Sequence, residues 1–103
     1  MRSSMEIKPI QEHILFGNYR FSEHAIKRMI QRNIERSEVE EAVHSGTIIE
    51  EYPDDKYSPS CLIYGQTHMK RGLHVQASLP PRVIIVTIYE PDPGEWEDGK
   101  IRR

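Results

Sequence analysis

The stretch LHVQASLPPRVIIVTIYE, residues 73–90, decides the fold. Apolar and polar residues alternate from Leu73 to Leu79, two prolines follow, and a second run rich in β-branched residues ends at Tyr89. Alternation with a period of two is typical of a half-buried strand, and prolines between two such runs favour a turn. The stretch therefore predicts an antiparallel hairpin with one apolar face and one polar face.

The same alternation predicts how the two strands of this hairpin pair. The apolar face is expected to carry Leu73, Val75, Ala77, Leu79, Ile84, Val86 and Ile88. Pairing around the prolines then places His74 roughly opposite Thr87, with His74 and Tyr89 on the same side of the sheet. The polar face, which also carries Gln76 and Ser78, is expected to be open to solvent.

The residues before this sheet have a helical pattern. Pro9 suits the first turn of a helix, and Gly17 stops the apolar spacing that follows it. A second helix is predicted in FSEHAIKRMIQRNI, residues 21–34, with Ser22 as its N-cap and Asn33 as a left-handed end. The opening MRSS is expected to fray.

A third helix and two more strands follow. Ser37 and Glu40 have the spacing of a capping box, and Gly46 is expected to end the helix. The period then changes to two in TIIEEY, residues 47–52, and in SCLIYGQ, residues 60–66. Helices followed by consecutive strands predict an α+β fold, with the N-terminal helices packed on one face of a four-stranded, mainly antiparallel sheet.

The 103 residues are predicted to form a single domain, 1–103, with a folded part at about 7–90. The acidic segment 91–103, rich in proline and glycine, is expected to be a C-terminal surface extension. Its Trp96 either docks on the body of the protein or contacts a partner, and the sequence leaves both possibilities open.

Composition bounds the class of protein. Hydrophobic residues make up 37% and charged residues 29%, and no apolar run approaches the roughly 18 residues needed to span a membrane. The segment MRSSMEIKPI has no apolar stretch of the secretory kind, and the single cysteine favours a reducing compartment. A cytoplasmic protein is expected, without contact to a membrane. The five histidines have no zinc-site spacing, so neither a metal nor another cofactor is expected.

The net charge of the chain argues against a protein that binds nucleic acid through a general excess of basic residues. Fourteen Lys and Arg stand against sixteen Asp and Glu, which gives a net charge of −2. Any nucleic-acid site must therefore come from local clustering. The predicted second helix provides one cluster, because His24, Arg28 and Arg32 recur at intervals of four and form a row along one side. The same row is also typical of an ordinary solvated helix face.

Cleavage of RNA without a metal needs a base for the 2′-hydroxyl, an acid for the leaving 5′-oxygen and cations for the phosphate. His24 or His74 is the candidate base or acid, and Tyr89 is a candidate for proton transfer. Arg28 and Arg32 are candidates for holding the phosphate. Taken singly, each of these residues also has a purely structural interpretation.

Several separated motifs resemble the domain-of-unknown-function family 4258. They are FSEHAIKRMIQRNI, SEVEEAVHSGTIIEEYPDDK, LHVQAS and VIIVTIYEPDPGEW, and the resemblance covers roughly residues 19–96. That family is distantly similar to RelE/ParE-like toxins and their metal-independent ribonuclease relatives. The resemblance implies a RelE-like fold and a small antitoxin as partner. The matching polar positions are His24, Arg28, Arg32, His74, Thr87 and Tyr89, with Thr87 joining the two arginines as a substrate-binding residue.

Two hypotheses about function follow. The first is a RelE-like toxin that binds RNA and is a possible metal-independent endoribonuclease. The second is a non-catalytic module that binds a partner protein, which the negative net charge favours. The sequence does not determine the oligomeric state or the sequence of the RNA.

Overall fold

In the computed structural model, which describes residues 5–103, the helices precede most of the strands. The elements are α1 Ile7–Leu15, β1 Arg20–Phe21, α2 Glu23–Arg32, α3 Arg36–Ser45, β2 Thr47–Tyr52, β3 Ser60–Gln66, β4 Gly72–Ser78, β5 Ile84–Tyr89, β6 Trp96–Glu97 and β7 Ile101–Arg102. The predicted α+β class is therefore confirmed. The expected fraying of MRSS concerns residues outside the described range.

The ends of α2 have the predicted chemistry. The Ser22 hydroxyl oxygen accepts a hydrogen bond from the backbone N–H of Ala25 at 3.0 Å, which satisfies a free donor of the first turn. At the other end, Asn33 has φ 55° and ψ 51°, the left-handed conformation that asparagine tolerates. These two caps fix where α2 begins and ends.

The start of α3 differs from the prediction. The helix begins at Arg36, so Ser37 lies inside it, and the capping box is formed by Glu35 and Glu38. The Glu38 carboxylate accepts the backbone N–H of Glu35 at 2.9 Å. The expected partner Glu40 is engaged elsewhere, because Arg36 donates to its carboxylate at 3.2 Å. Gly46 follows the last helical residue, as predicted.

The sheet has five strands in the order β1-β5-β4-β3-β2 and is mixed, whereas a four-stranded, mainly antiparallel sheet is predicted from the sequence. The additional strand is β1, whose Arg20 and Phe21 pair in parallel with Ile84 and Ile85. A strand of two residues is too short to show an alternating pattern, so sequence periodicity does not reveal it. The other three pairings in this sheet are antiparallel.

The register of the β4–β5 hairpin corrects the predicted pairing. His74 lies opposite Tyr89, and Gln76 lies opposite Thr87. The pairing then shifts by one residue at Ala77, so β5 has a bulge at this point. The sequence does not reveal the bulge. Its extra residue changes the partner of every β4 residue on the side of the bulge away from the turn. The prediction that His74 and Tyr89 share a face is confirmed.

The bulge also changes which residues of β5 reach the core. Val83, Ile85 and Ile88 are buried, whereas Ile84 and Val86 are only half-buried. The expected set of Ile84, Val86 and Ile88 is therefore wrong for its first two members, because the extra residue reverses the alternation. On β4 the predicted residues Leu73, Val75 and Ala77 are fully buried in the core, and Leu79 packs against it half-buried.

Two helices pack directly on the sheet, α2 on β5 and α3 on β3, and α1 packs on α3. The approach of α3 is very close. A Cβ atom added to Gly65 would lie 1.7 Å from the backbone oxygen of Ala42. The backbones of α3 and β3 are therefore in direct contact at Gly65, and only glycine fits there.

The second face of the sheet is covered by the C-terminal segment, contrary to the expectation of a solvent-open face. β6 and β7 pair as a small antiparallel hairpin, with Trp96 opposite Arg102. Trp96 is only 3% exposed and His74 is 0% exposed. Of the two possibilities left open for Trp96, docking on the body of the protein is the one observed.

The contact at Gly65 generates a stability prediction. Gly65→Ala is expected to lower the free energy of unfolding by about 3 kcal/mol or more, because the new methyl group meets backbone that cannot move independently. The measurement is the urea midpoint with the slope m unchanged. Gly94→Ala is the matched control, since its Cβ would come no closer than 3.4 Å to Asp92. Equal midpoints for the two variants would contradict the close approach.

Candidate functional site

The row of His24, Arg28 and Arg32 lies along α2 as predicted. Its opposite side is anchored by Ala25, which is buried, and by Met29, which is half-buried against the core. His24 and Arg32 are exposed and Arg28 is half-buried. The row therefore lies on the outer surface of α2, where its charged ends are accessible.

Two members of this row meet the end of β5 in a surface hollow of about 620 Å³. Arg28 and Arg32 line one side of it, and Tyr89 lies in the lining next to them. We call this the Arg28 hollow. His24 is not among its lining residues, although it lies one turn before Arg28 on the same helix.

The remaining lining of the Arg28 hollow is acidic and aromatic. It is formed by the segment that follows β5, with the carboxylates of Glu90, Asp92 and Glu95 and the indole of Trp96. The lining of the hollow thus carries both cationic and anionic side chains. The guanidiniums of Arg28 and Arg32 make no ion pair and no side-chain hydrogen bond with any other residue in the range 5–103.

Behind the hollow, three aromatic side chains surround His74. Its ring centroid lies 4.4 Å from that of Trp96, 5.1 Å from that of Tyr89 and 5.9 Å from that of Tyr64, each in edge-to-face geometry. Tyr64, His74 and Tyr89 are cross-strand neighbours in one row across β3, β4 and β5. Trp96 packs on this row from the C-terminal hairpin. His74 is thus brought to Tyr89, as expected, but in a buried position.

The hydrogen bonds of His74 define its tautomer. Its Nε2 lies 2.6 Å from the carbonyl oxygen of Gly99, and a carbonyl only accepts, so Nε2 carries the proton. The Nδ1 atom is buried and has no hydrogen-bond partner among the described residues. Burial lowers the pKa of His74 below its usual value, although the Gly99 carbonyl opposes this effect. His74 is therefore a neutral imidazole near pH 7.

Tyr89 is half-buried beside this imidazole. Burial raises the pKa of its phenol, and the nearby Arg102 guanidinium partly opposes the increase. A phenol with a raised pKa keeps its proton at neutral pH, so Tyr89 is in the form that can donate a proton, as a weaker acid than an ordinary phenol. Tyr89 is the single predicted residue that borders both His74 and the Arg28 hollow.

Sequence reasoning missed a cluster of charged and hydroxyl groups on the same sheet face. The Glu50 carboxylate accepts a hydrogen bond from the Tyr52 hydroxyl at 2.6 Å. It also accepts two from the Arg102 guanidinium, at 2.9 and 3.2 Å. Burial alone would raise the pKa of Glu50, but these hydrogen bonds outweigh it and hold that pKa below its usual value. The alternation of TIIEEY places Glu50 and Tyr52 on one face, which was a usable signal; nothing in the sequence indicated Arg102.

Thr87 is not brought to the Arg28 hollow. It is half-buried on β5 opposite Gln76, which donates to the Ser60 hydroxyl and to the Asp55 carboxylate. Thr87 therefore belongs to the sheet face that the β6–β7 hairpin covers. Of the six residues predicted for the site, Arg28, Arg32 and Tyr89 share the hollow and His74 packs behind it.

Two further findings concern the described part of the chain as a whole. Between residues 5 and 103, no group of three or more His, Cys, Asp or Glu side chains is arranged so that it could hold a metal ion. None of the helices in that range combines the length and the apolar character needed to cross a membrane.

The family comparison agrees with the quoted motifs. The sequence model described as "Domain of unknown function (DUF4258)" matches residues 21–90, which include the helices α2 and α3 and the strands β2 to β5. The chain belongs to this family. The match contains every predicted site residue and ends before the β6–β7 hairpin. No curated protein and no solved structure matches the chain significantly.

The buried imidazole generates a prediction about pH. Because the pKa of His74 is lowered in the folded protein, the unfolded chain takes up this proton at a higher pH. Stability is expected to fall as the pH drops below about 6.5, until the lowered pKa is reached, with a slope of up to about 1.4 kcal/mol per pH unit. His74→Gln should reduce this loss.

The measurement is urea unfolding of wild type and His74→Gln at several pH values between about 7.5 and 5, a range above the titration of ordinary carboxylates. Wild type and variant share every other titrating side chain, so the difference between their slopes reports His74 alone. Parallel slopes would show that His74 does not titrate differently in the folded state.

Proposed function

We propose that this protein is a RelE-like toxin that binds single-stranded RNA at the Arg28 hollow and cleaves it without a metal, with a small antitoxin as its partner. The observation that carries the proposal is that Arg28 and Arg32 from α2 and Tyr89 from β5 line one accessible hollow. The quoted motifs resemble family 4258, which is distantly similar to RelE/ParE-like toxins, and the polar positions that match the family include the same three residues.

Phosphate recognition falls to the two arginines. They are one helical turn apart, and neither guanidinium is neutralised by an ion pair with another described residue. Two like charges held close together favour an anion between them, and the guanidinium fork matches two phosphate oxygens. A phosphodiester is the anion that the proposed substrate offers.

The carboxylates on the other side of the hollow limit this binding. Asp92 and Glu95 repel a second or third phosphate, whereas the Glu90 carboxylate is already paired with Arg71 at 2.9 Å, so the phosphate held strongly is the one at Arg28 and Arg32. We expect an RNA site with few phosphate contacts and a shallow dependence on salt. This accounts for RNA binding by a chain whose net charge is −2.

Cleavage then needs two proton transfers. His24, the exposed imidazole of the α2 row, takes the proton of the 2′-hydroxyl, and the freed oxygen attacks the neighbouring phosphorus. The bond from phosphorus to the 5′-oxygen breaks, and Tyr89 donates its proton to that oxygen. The products are a 2′,3′-cyclic phosphate and a 5′-hydroxyl end. Arg28 and Arg32 stabilise the negative charge that develops on the phosphorane.

His74 has a different part in this scheme from the one expected for an exposed residue. Its Nε2–H is bound to Gly99 and its ring is buried behind Tyr89, so it packs against the phenol and takes no part in the two proton transfers. Substitution of His74 is therefore expected to affect the cleavage step through the position of Tyr89.

A second candidate function is non-catalytic binding of a partner protein. The observation that favours it is the mixture of unpaired guanidiniums and three carboxylates in the same hollow, which suits a protein surface carrying both charges. Expression in a bacterial host distinguishes the two functions. Growth arrest that Tyr89→Phe relieves supports the ribonuclease, and harmless expression supports the binding module.

The arginine assignment predicts a specific loss of RNA affinity. Arg28→Ala is expected to weaken binding of a single-stranded RNA about tenfold, because one charge-assisted contact to phosphate is lost. The slope of log K against log salt should become shallower by about 0.7 for each phosphate contact removed. Fluorescence anisotropy at several salt concentrations measures both quantities.

Lys27→Ala is the matched control, because Lys27 precedes Arg28 on α2, is exposed and is not part of the hollow. It removes the same charge and should leave affinity nearly unchanged. Equal losses for Lys27→Ala and Arg28→Ala would mean that only the general charge of the helix matters, and the proposed phosphate site would be abandoned.

The acid assignment predicts a loss of cleavage without a loss of binding. Tyr89→Phe removes the donated proton and keeps the ring that packs on His74, so the rate of cleavage should fall about 100-fold or more. The reaction is followed in EDTA by gel electrophoresis of end-labelled RNA, and the cyclic phosphate product is identified by mass spectrometry. Unchanged cleavage by Tyr89→Phe would exclude the phenol as the acid.

A further inference from the structure

The β6–β7 hairpin covers the polar sheet face through three contacts of different chemistry. The Trp96 ring packs on the His74 imidazole with centroids 4.4 Å apart. The Gly99 carbonyl oxygen accepts the hydrogen bond from His74 Nε2 at 2.6 Å. The Arg102 guanidinium donates two hydrogen bonds to Glu50, at 2.9 and 3.2 Å.

These three groups correspond to the parts of a nucleobase. A base offers an aromatic face or edge, carbonyl oxygens that accept hydrogen bonds, and imino or amino groups that donate them. Proteins that bind single-stranded RNA read bases with aromatic side chains and with polar groups placed beside them. Tyr64, His74, Tyr89 and Glu50 provide both kinds of group on one face.

The docked hairpin does not satisfy this face completely. His74 Nδ1 is buried and accepts no hydrogen bond from any residue in the described range. A buried acceptor without a donor is unfavourable, and an amino group of a base is a donor that it lacks. The imidazole therefore offers one acceptor and one donor to a ligand, of which the hairpin uses only the donor.

The hairpin is also weakly held. Each of its strands is two residues long, and a two-stranded hairpin of this kind is at best marginally stable by itself. Apart from Trp96, its strand residues Glu97, Ile101 and Arg102 are exposed, and the Arg102 side chain is 61% exposed. Exposed ion pairs contribute little to stability, so the indole is the principal anchor. The hairpin also lies outside residues 21–90 that match the family.

We propose that the sheet face under the hairpin is a nucleobase-binding surface for single-stranded RNA, and that the β6–β7 hairpin occupies it until RNA displaces it. The inference rests on the proposed function and extends it. Tyr89 borders both this surface and the Arg28 hollow, so a phosphate bound at Arg28 would place an adjoining base next to the imidazole. The ligand is thus read at its base as well as at its backbone.

Gly99 provides the substitution that opens the hairpin. It has φ +75°, and a Cβ atom there would lie 2.7 Å from Cε1 of Tyr64. Gly99→Ala therefore adds both backbone strain and a clash at the contact with the sheet. Gly17→Ala is the matched control, because Gly17 has φ +74° but a Cβ atom there would meet nothing within 4 Å.

Trp96 is the only tryptophan of the chain and reports directly on docking. In Gly99→Ala its emission should shift to longer wavelength and its quenching by acrylamide should increase, whereas Gly17→Ala should match the wild type. Affinity for a fluorescein-labelled single-stranded RNA of ten nucleotides should rise about fivefold in Gly99→Ala, because less of the protein is held in the closed form. Arg102→Ala, which removes the ion pair with Glu50 and the guanidinium that lies 4.6 Å from the centre of the Trp96 ring, should shift both readouts in the same direction if Gly99→Ala fails to fold.

A measurement on the wild-type protein distinguishes recognition of the base from recognition of the sugar–phosphate backbone. Saturating RNA should expose Trp96 to acrylamide, while an abasic ribose-phosphate oligomer of equal length should bind at the Arg28 hollow and expose Trp96 much less, because it has no base to replace the indole. Equal exposure by the abasic oligomer and by RNA, or none by RNA, would overturn the inference.

The outcomes also separate this inference from the proposed function. If Gly99→Ala or Arg102→Ala exposes Trp96 but RNA affinity stays at the wild-type value and still depends on Arg28, the base-binding surface is wrong and the phosphate site stands. If neither variant exposes Trp96, the hairpin is not displaceable. If the wild type and the opened variants all fail to bind RNA, the proposed function is wrong and the surface loses its ligand.

Discussion

The structure depends on one constraint, which is that the central strand β4 is covered on both faces. Its apolar residues pack against the helices, so its polar residues must find partners within the protein on the other side. His74 donates to Gly99, Gln76 donates to Ser60 and Asp55, and Ser78 donates to the Arg82 carbonyl while accepting from the Ile84 N–H. The polar face is therefore a set of specific hydrogen bonds, to which the C-terminal hairpin contributes the Gly99 carbonyl.

Local patterns in the sequence predicted the parts of the fold that local physics determines. The Ser22 cap, the left-handed Asn33, the spans of β2 and β3 and the shared face of His74 and Tyr89 all follow from short-range preferences. The two-residue strand β1 and the bulge in β5 depend on tertiary packing, since neither changes the residue types along the chain. The error at the polar face has a related cause. An alternating polar residue looks the same in a sequence whether water or a distant carbonyl satisfies it, and Gly99 is 25 residues from His74.

The candidate site was predictable to a similar extent. The interval of four residues was enough to predict that Arg28 and Arg32 lie together on one side of their helix. The position of Tyr89 at the end of a strand was enough to predict that it lies near the end of the sheet beside these arginines. The pairing of Glu50 with Arg102 joins positions 52 residues apart, and no periodicity reaches over that distance. His24 shows the converse limit, because its place in the row was correctly predicted but the hollow begins one turn further along α2.

The position of the hairpin also sets the charge of the Arg28 hollow. The cationic side and Tyr89 lie within residues 21–90 that match the family, whereas Asp92, Glu95 and Trp96 lie beyond them. The two carboxylates that repel phosphate thus belong to the same segment as the indole anchor. A movement that lifts Trp96 from His74 would carry these two charges away from Arg28, because only three residues lie between Asp92 and Trp96. Exposure of the sheet face and a more positive hollow are therefore coupled by the chain itself, so the base and the phosphate of a nucleotide would gain their binding groups together.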